Sequence, residues 1–186
     1  MTETALLSAF ILVTLAELGD KTQLVTITLS SKGSRIQVFC GAILAFMLMS
    51  VVGVILGGTL TNFLPLFWVN IFSGLIFVFY GFYSLLTNSD DTIGVETLSS
   101  PLLSTFSIVT LMELGDKTQL ATIALSAKYT NLLPVFIGVI TAFIIVTATA
   151  VLIGRSISKI IPYRYVNLSA SILFIIFGVL TLSGVL

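Results

Sequence analysis

Glu17-Leu18-Gly19-Asp20-Lys21-Thr22-Gln23-Leu24 lies inside a long apolar run, and the same eight residues return as Glu113-Leu114-Gly115-Asp116-Lys117-Thr118-Gln119-Leu120 inside another. The likeness spreads outward from this block: Leu7 to Lys32 and Leu103 to Lys128 share 19 of 26 positions at an offset of 96. At an offset of 97 it continues through Gly41 and Gly138, Ala45 and Ala142, Phe46 and Phe143, Gly57 and Gly154, Pro65 and Pro162, Asn70 and Asn167, Phe77 and Phe174, and Gly81 and Gly178. A repeat this long makes each copy one structural unit that packs against the other.

The medium around those units follows from composition. Of 186 residues, 57% are hydrophobic and 9% charged, with a mean hydropathy of +1.17, whereas soluble domains carry about a quarter charged residues. Apolar runs occur at about 4 to 30, 36 to 60, 66 to 87, 101 to 127, 132 to 154 and 164 to 186, each close to the roughly 20 helical residues that cross a bilayer core. The expected fold is an all-α membrane protein of six transmembrane helices. Residues 1–87 form the first three-helix repeat, 88–100 a linker and 101–186 the second repeat. Because three is odd, the second repeat enters the membrane from the opposite side, and the two units are inverted copies.

Several function classes drop out. The longest polar connection, Asn88 to Ser100, is too short for a soluble domain. The start, Met-Thr-Glu-Thr, has an acidic flank and no small-residue cleavage site, so the first span is expected to be retained rather than removed as a signal peptide. Zero net charge leaves no footprint for nucleic acid. With no histidine and only Cys40, zinc sites, HExxH proteolysis, dithiol redox chemistry and haem attachment are excluded. No enzyme and no cofactor are expected.

Basic residues in short loops favour the cytoplasmic side. Lys32, Arg35, Arg155, Lys159 and Arg164 fall in loops on one side, and Lys128 alone on the other. Both termini are therefore expected away from the cytoplasm, with the acidic linker, carrying Asp90, Asp91 and Glu96, facing it. Gly53 and Gly57 in the second span, and Ala150 and Gly154 in the fifth, let helix backbones approach closely and need no chemical role.

The repeated motif does need one. Glu17 and Glu113 fall near the middle of their runs, where an acidic side chain costs at least about 2.5 kcal/mol. Spacing of i and i+3 puts Glu17 and Asp20 on one helical face, and Glu113 and Asp116 likewise. Inverted symmetry is expected to gather all four carboxylates around one ion. An all-oxygen set suits a hard divalent cation such as calcium, magnesium or manganese. An empty cluster of four buried, mutually repelling acids is also expected to hold protons that an arriving metal must displace.

Gly19 and Gly115 either permit close helix crossing or let the helix open. On an unbroken helix Thr14 and Lys21 share the face of Glu17, Gln23 adjoins Asp20, and Thr22 points away and joins only if the helix bends. Thr110, Lys117, Gln119 and Thr118 are the counterparts, and all eight are secondary polar or gating candidates. Lys21 and Lys117, four residues after Glu17 and Glu113, could instead neutralise those acids locally as a structural ion-pair knot. Met112 offers a soft sulfur, but its counterpart is Ala16, and core packing is the plainer role. The aromatic residues, with Trp68, read as lipid-facing or interfacial.

The doubled Glu-Leu-Gly-Asp-Lys-Thr motif resembles that of the membrane cation exchangers defined by two copies of E-x-G-D-[KR]-[ST]. These include Golgi calcium/manganese-proton exchangers and the manganese transporters of cyanobacteria and chloroplasts. The resemblance implies an exchanger with Glu17, Asp20, Glu113 and Asp116 along the cation path. It also implies manganese or calcium as the bound cargo, and protons as the counter-ion. A chain this compact looks bacterial, exporting manganese across the plasma membrane or loading it into an internal compartment such as a thylakoid. The expected partners are the cation, protons and lipid, with self-association left open. Rival readings are a passive cation channel and a membrane scaffold whose acids serve assembly.

Overall fold

The computed structural model describes residues 2–18, 20–63, 65–86, 100–129, 131–157 and 163–183. Eight helices and no strand occur among them: α1 (Thr2–Glu17), α2 (Lys21–Lys32), α3 (Arg35–Phe63), α4 (Leu66–Leu86), α5 (Pro101–Glu113), α6 (Lys117–Lys128), α7 (Leu132–Ile157) and α8 (Tyr163–Leu182). The acidic linker residues Asp90, Asp91 and Glu96, together with Gly19, Lys159 and the side chains of Lys21, Lys32, Arg155 and Arg164, lie outside the described residues.

The first and fourth apolar runs are each split in two at the motif. α1 and α2 meet at a bend of 67°, and α5 and α6 are separated by Leu114, Gly115 and Asp116. Asp20 and Asp116 occupy the N-cap positions of α2 and α6 with extended backbone, yet neither side chain caps its helix. Gly115 adopts φ +75°, a left-handed conformation that glycine reaches without the strain of a Cβ. The reading on an unbroken helix is therefore corrected: the acids sit at a break, and the faces assigned from 3.6-residue periodicity do not carry across it. Among the described residues, the unbroken helices α3 and α7 contain the two stretches long and apolar enough to cross a hydrocarbon core alone, Arg35–Leu60 and Leu132–Leu152. α1 and α2 together make a third candidate.

α2 and α6 carry many hydroxyls, and several of them bind backbone within their own helices. Thr26 donates to the Thr22 carbonyl at 2.8 Å, Thr28 to that of Leu24 at 2.9 Å, and Thr122 to that of Thr118 at 2.8 Å. Such back-bonding meets these hydroxyl donors locally, whereas the buried Ser126 hydroxyl of α6 has no partner among the described residues.

Packing is reciprocal between the two halves: α1 lies against α7 as α5 lies against α3, α2 meets α7 as α6 meets α3, and α4 pairs with α8. Small residues set the closest approaches. A Cβ on Gly41 would collide with the Leu102 carbonyl and crowd Thr105 and Phe106, and one on Gly138 would do the same to Leu6, Ala9 and Phe10. These neighbours are repeat counterparts of one another. Phe46 and Phe143, also counterparts, stack at 3.9 Å between centroids and 17° between planes, inside a core that includes Leu12, Val13, Val109 and Val139. Met112 packs beside a second cluster of Val25, Leu29, Val38 and Val151, which agrees with a packing role.

Gly57 tests the seam between α3 and α6, because a Cβ there runs into the Ile123 carbonyl and the Ser126 side chain. Gly57→Ala is expected to destabilise the protein by about 1–3 kcal/mol, the usual range for overpacking. Thermal unfolding in detergent, compared with wild type, checks it; an unchanged midpoint contradicts this close approach.

Candidate cation site

Breaking the helices turns their ends toward the acids. A helix terminus leaves up to four backbone groups without intrahelical partners, and here part of that deficit is met locally. Leu18 N–H bonds the Thr14 carbonyl at 3.0 Å, Asp20 N–H the Glu17 carbonyl at 3.1 Å, and Asp116 N–H the Glu113 carbonyl at 3.2 Å. Gly115 N–H donates to Gln119 Oε1 at 2.6 Å, so Gln119 braces the turn between Glu113 and Asp116.

Glu17 and Glu113 are each only 1% exposed, and their surroundings differ. Glu113 Oε1 accepts from the Thr22 hydroxyl at 2.8 Å, and Oε2 from the Thr118 hydroxyl at 2.7 Å. Neither carboxyl oxygen of Glu17 has a hydrogen-bond partner among the described residues. Asp20 is buried, and its Oδ1 pairs with Lys117 Nζ from the other half at 2.8 Å. Asp116 is partly buried. Glu17 lies within Coulombic reach of Glu113, Asp20, Asp116 and Lys117, which places all four acids in one electrostatic neighbourhood. Among the described residues, however, no three acidic side chains are grouped closely enough to hold a metal together. The acids share a region without forming a closed cage.

The break supplies the bend on which the candidacy of Thr22 depends, and its hydroxyl reaches Glu113. Lys117 pairs with Asp20 of the opposite half rather than solely neutralising Glu113 four residues before it. Lys21, its counterpart, has its side chain outside the described residues. Thr14 and Thr110 are partly buried with hydroxyls that have no partner among the described residues. Gln23 is partly buried beside the α2 N-terminus.

Sequence reasoning passed over α3 and α7, which carry no acid at this depth. Met49, Ser50 and Phe143 join Glu113, Thr118, Gln119 and Thr122 around a narrow cleft with room for about one water-sized occupant. Ser50 is buried, and its hydroxyl has no partner among the described residues. Its counterpart Thr147 is buried too, and matching hydroxyls at repeat positions within two apolar helices were the available signal.

Residues 5–92 and 101–185 match the family model described as "Divalent cation/proton antiporter GDT1". The chain belongs to the GDT1 family. It is therefore a member of a transporter family, not an enzyme family. "GDT1-like protein 5" of Arabidopsis thaliana is 31% identical over 90% of this chain and 90% of its own length. "Protein PAM71, chloroplastic" of the same plant is 26% identical over 96% of this chain and 56% of its own length. The "Putative manganese exporter" of Vibrio cholerae is 29% identical over 91% of this chain and 86% of its own. No solved structure matches. The two motif copies fall one in each stretch matched to the GDT1 model.

The hydroxyl of Thr22 gives Glu113 a polar contact from the first half. Hydrogen bonds to a charged group are worth about 1.5–3 kcal/mol, so Thr22→Val is expected to weaken divalent-cation transport by about tenfold or more, while Thr22→Ser retains most of it. Initial uptake rates into proteoliposomes check this; equal rates for Val and Ser variants would remove the hydroxyl from the site.

Proposed function

We propose that this GDT1-family chain exchanges manganese, calcium or both for protons and exports the metal from the cytoplasm. The observation that carries the proposal is the pair of buried glutamates at matching helix breaks, one ringed by hydroxyls and the other without a hydrogen-bond partner among the described residues. Glu17, Asp20, Glu113 and Asp116 form the cation path, with Thr22 and Thr118 holding Glu113 in orientation. Oxygen donors of this kind accept hard divalent ions. The family description supports both divalent cations and protons as substrates. The printed name of the Vibrio cholerae relative favours manganese and export.

Binding and proton release are linked by competition. A divalent cation entering a buried acidic site displaces protons from the carboxyls, and reprotonation from the more acidic side releases the metal. Alternating access then requires the two halves to rock about the shared site. The reciprocal packing of α1 on α7 and α5 on α3 supports two inverted three-helix repeats, residues 1–87 and 101–186, joined by a cytoplasmic linker. Six spans follow if each motif-broken pair crosses once. Both termini then face away from the cytoplasm, in a bacterial plasma membrane or a thylakoid membrane.

Two experiments test this reading. In proteoliposomes made acidic inside, manganese or calcium should accumulate against its gradient, and a protonophore at clamped membrane potential should abolish that accumulation. Accumulation unaffected by the protonophore favours a channel or another coupling ion. Glu17→Gln, Asp20→Asn, Glu113→Gln and Asp116→Asn should each impair uptake, with non-additive effects in pairs, since groups acting on one ion work as a unit. Wild-type uptake by all four would end the assignment.

The topology has its own test. In a Cys40→Ser background, cysteines at Met1 and Leu186 should label from the non-cytoplasmic side and one at Asp90 from the cytoplasm. Labelling of Met1 and Asp90 from the same side rules out the inversion.

A further inference from the structure

Among the described residues Lys117 is one of four buried charged side chains, with Glu17, Asp20 and Glu113, and its position is unlike that of a helix-surface lysine. It begins α6, directly after the N-cap Asp116. A positive charge at a helix N-terminus opposes the helix dipole, so local helix electrostatics do not explain it. Its ammonium crosses to the other half and meets Asp20 Oδ1 at 2.8 Å, with both side chains less than a tenth exposed. The second Asp20 oxygen has no hydrogen-bond partner among the described residues. Glu17, three residues before Asp20, is within Coulombic reach of the same ammonium. Lys117 thus brings a single positive charge, on a flexible stem, to the acids that would receive a divalent ion.

We infer that Lys117 is a tethered surrogate cation, seated on Asp20 when the path is empty and displaced from it when a divalent ion binds. This rests on the transport reading above and adds to it a specificity-determining residue. The ammonium and a metal ion are rival counter-charges for one carboxylate and repel each other, so occupancy by either disfavours the other. Binding is then a replacement, and the apparent affinity for metal is the intrinsic affinity reduced by the fraction of molecules in which Asp20 is already taken. A monovalent ion, offering Asp20 no more charge than the lysine does, gains little by displacing it, whereas a divalent ion brings twice the charge. Selection against abundant monovalent cations follows without a cage of fixed size. The lysine also keeps a negative charge in an apolar interior from standing unpaired between transport events, a state that is costly when one partner of a buried pair is missing.

The test is equilibrium Mn2+ binding to the purified full-length protein in detergent, read from the electron paramagnetic resonance signal of free Mn2+, with sodium varied as competitor. Lys117→Gln removes the surrogate but keeps polarity, and should bind Mn2+ at least about threefold more tightly while losing part of its discrimination against sodium. Lys117→Arg substitutes a fork that grips a carboxylate through two bonds, and should bind Mn2+ more weakly than wild type. Helicity and elution profile report whether each variant is folded. Unchanged or weaker binding by a folded Lys117→Gln overturns the inference, as does a tightening accompanied by wild-type affinity in Lys117→Arg, which would mark a diffuse field rather than a seated competitor. If Lys117→Gln does not fold, the arginine variant decides alone: weakened binding supports the seat, and unchanged or tighter binding refutes it. Absence of saturable Mn2+ binding by the wild-type protein would instead refute the transport reading itself.

Discussion

A carboxyl group taken out of water must find donors, a counter-charge or a proton, and Glu17, Asp20 and Glu113 each meet that demand differently. Glu113 has two threonine hydroxyls, Asp20 has the ammonium of Lys117, and Glu17 has no hydrogen-bond partner among the described residues. Much of the architecture serves this constraint. α1 and α5 stop at the glutamates; α2 then starts at a new angle with Thr22 within reach of Glu113, and the first turn of α6 brings Thr118 to Glu113 and Lys117 to Asp20. An unbroken helix would have carried Thr22 away from Glu17 and spread the polar groups around its circumference.

Close packing makes that arrangement compact. Gly41 and Gly138 remove the side chains that would hold α3 off α5 and α7 off α1, and Gly57 does so for α3 and α6. The Phe46 and Phe143 rings fill the space where the long helices meet. Phe143 also lines the cleft beside Glu113, so the same ring that stacks the halves together bounds the polar pocket on one side. Packing and site are parts of one object, and the thioether of Met49 and the hydroxyl of Ser50 complete its wall from α3.

The sequence made some of this readable and concealed the rest. The duplicated motif, its membrane depth and the i, i+3 acids follow from spacing and from the price of buried charge. Their environment depends on where each helix breaks, and a glycine inside an apolar run is compatible with either outcome. Once Gly115 takes φ +75°, residues after it lose their phase relation to those before it. In the other half, Thr22 lies beyond the 67° bend between α1 and α2 and reaches Glu113, while Lys117, beyond the Gly115 break, reaches Asp20 across the halves instead of staying with its own Glu113. Ser50 and Met49 were missed for another reason: single polar or soft residues in a strongly apolar helix carry no spacing, and only the match of Ser50 with Thr147 in the other copy sets them apart.

The hydroxyl arrangement around the glutamates has a further consequence. Each threonine hydroxyl has one proton to give, and Thr22 and Thr118 both give theirs to Glu113. The covalent chain hardly distinguishes the two glutamates, yet the bonding does. A mirrored arrangement, in which the same two hydroxyls served Glu17, would exchange chemically equivalent groups. Were internal duplication to bring the two arrangements close in energy, a small differential interaction would move the molecule between them. From a balanced start, about 1.4 kcal/mol of differential interaction shifts the populations tenfold. Two unlike halves would need a larger driving force merely to overcome their built-in preference.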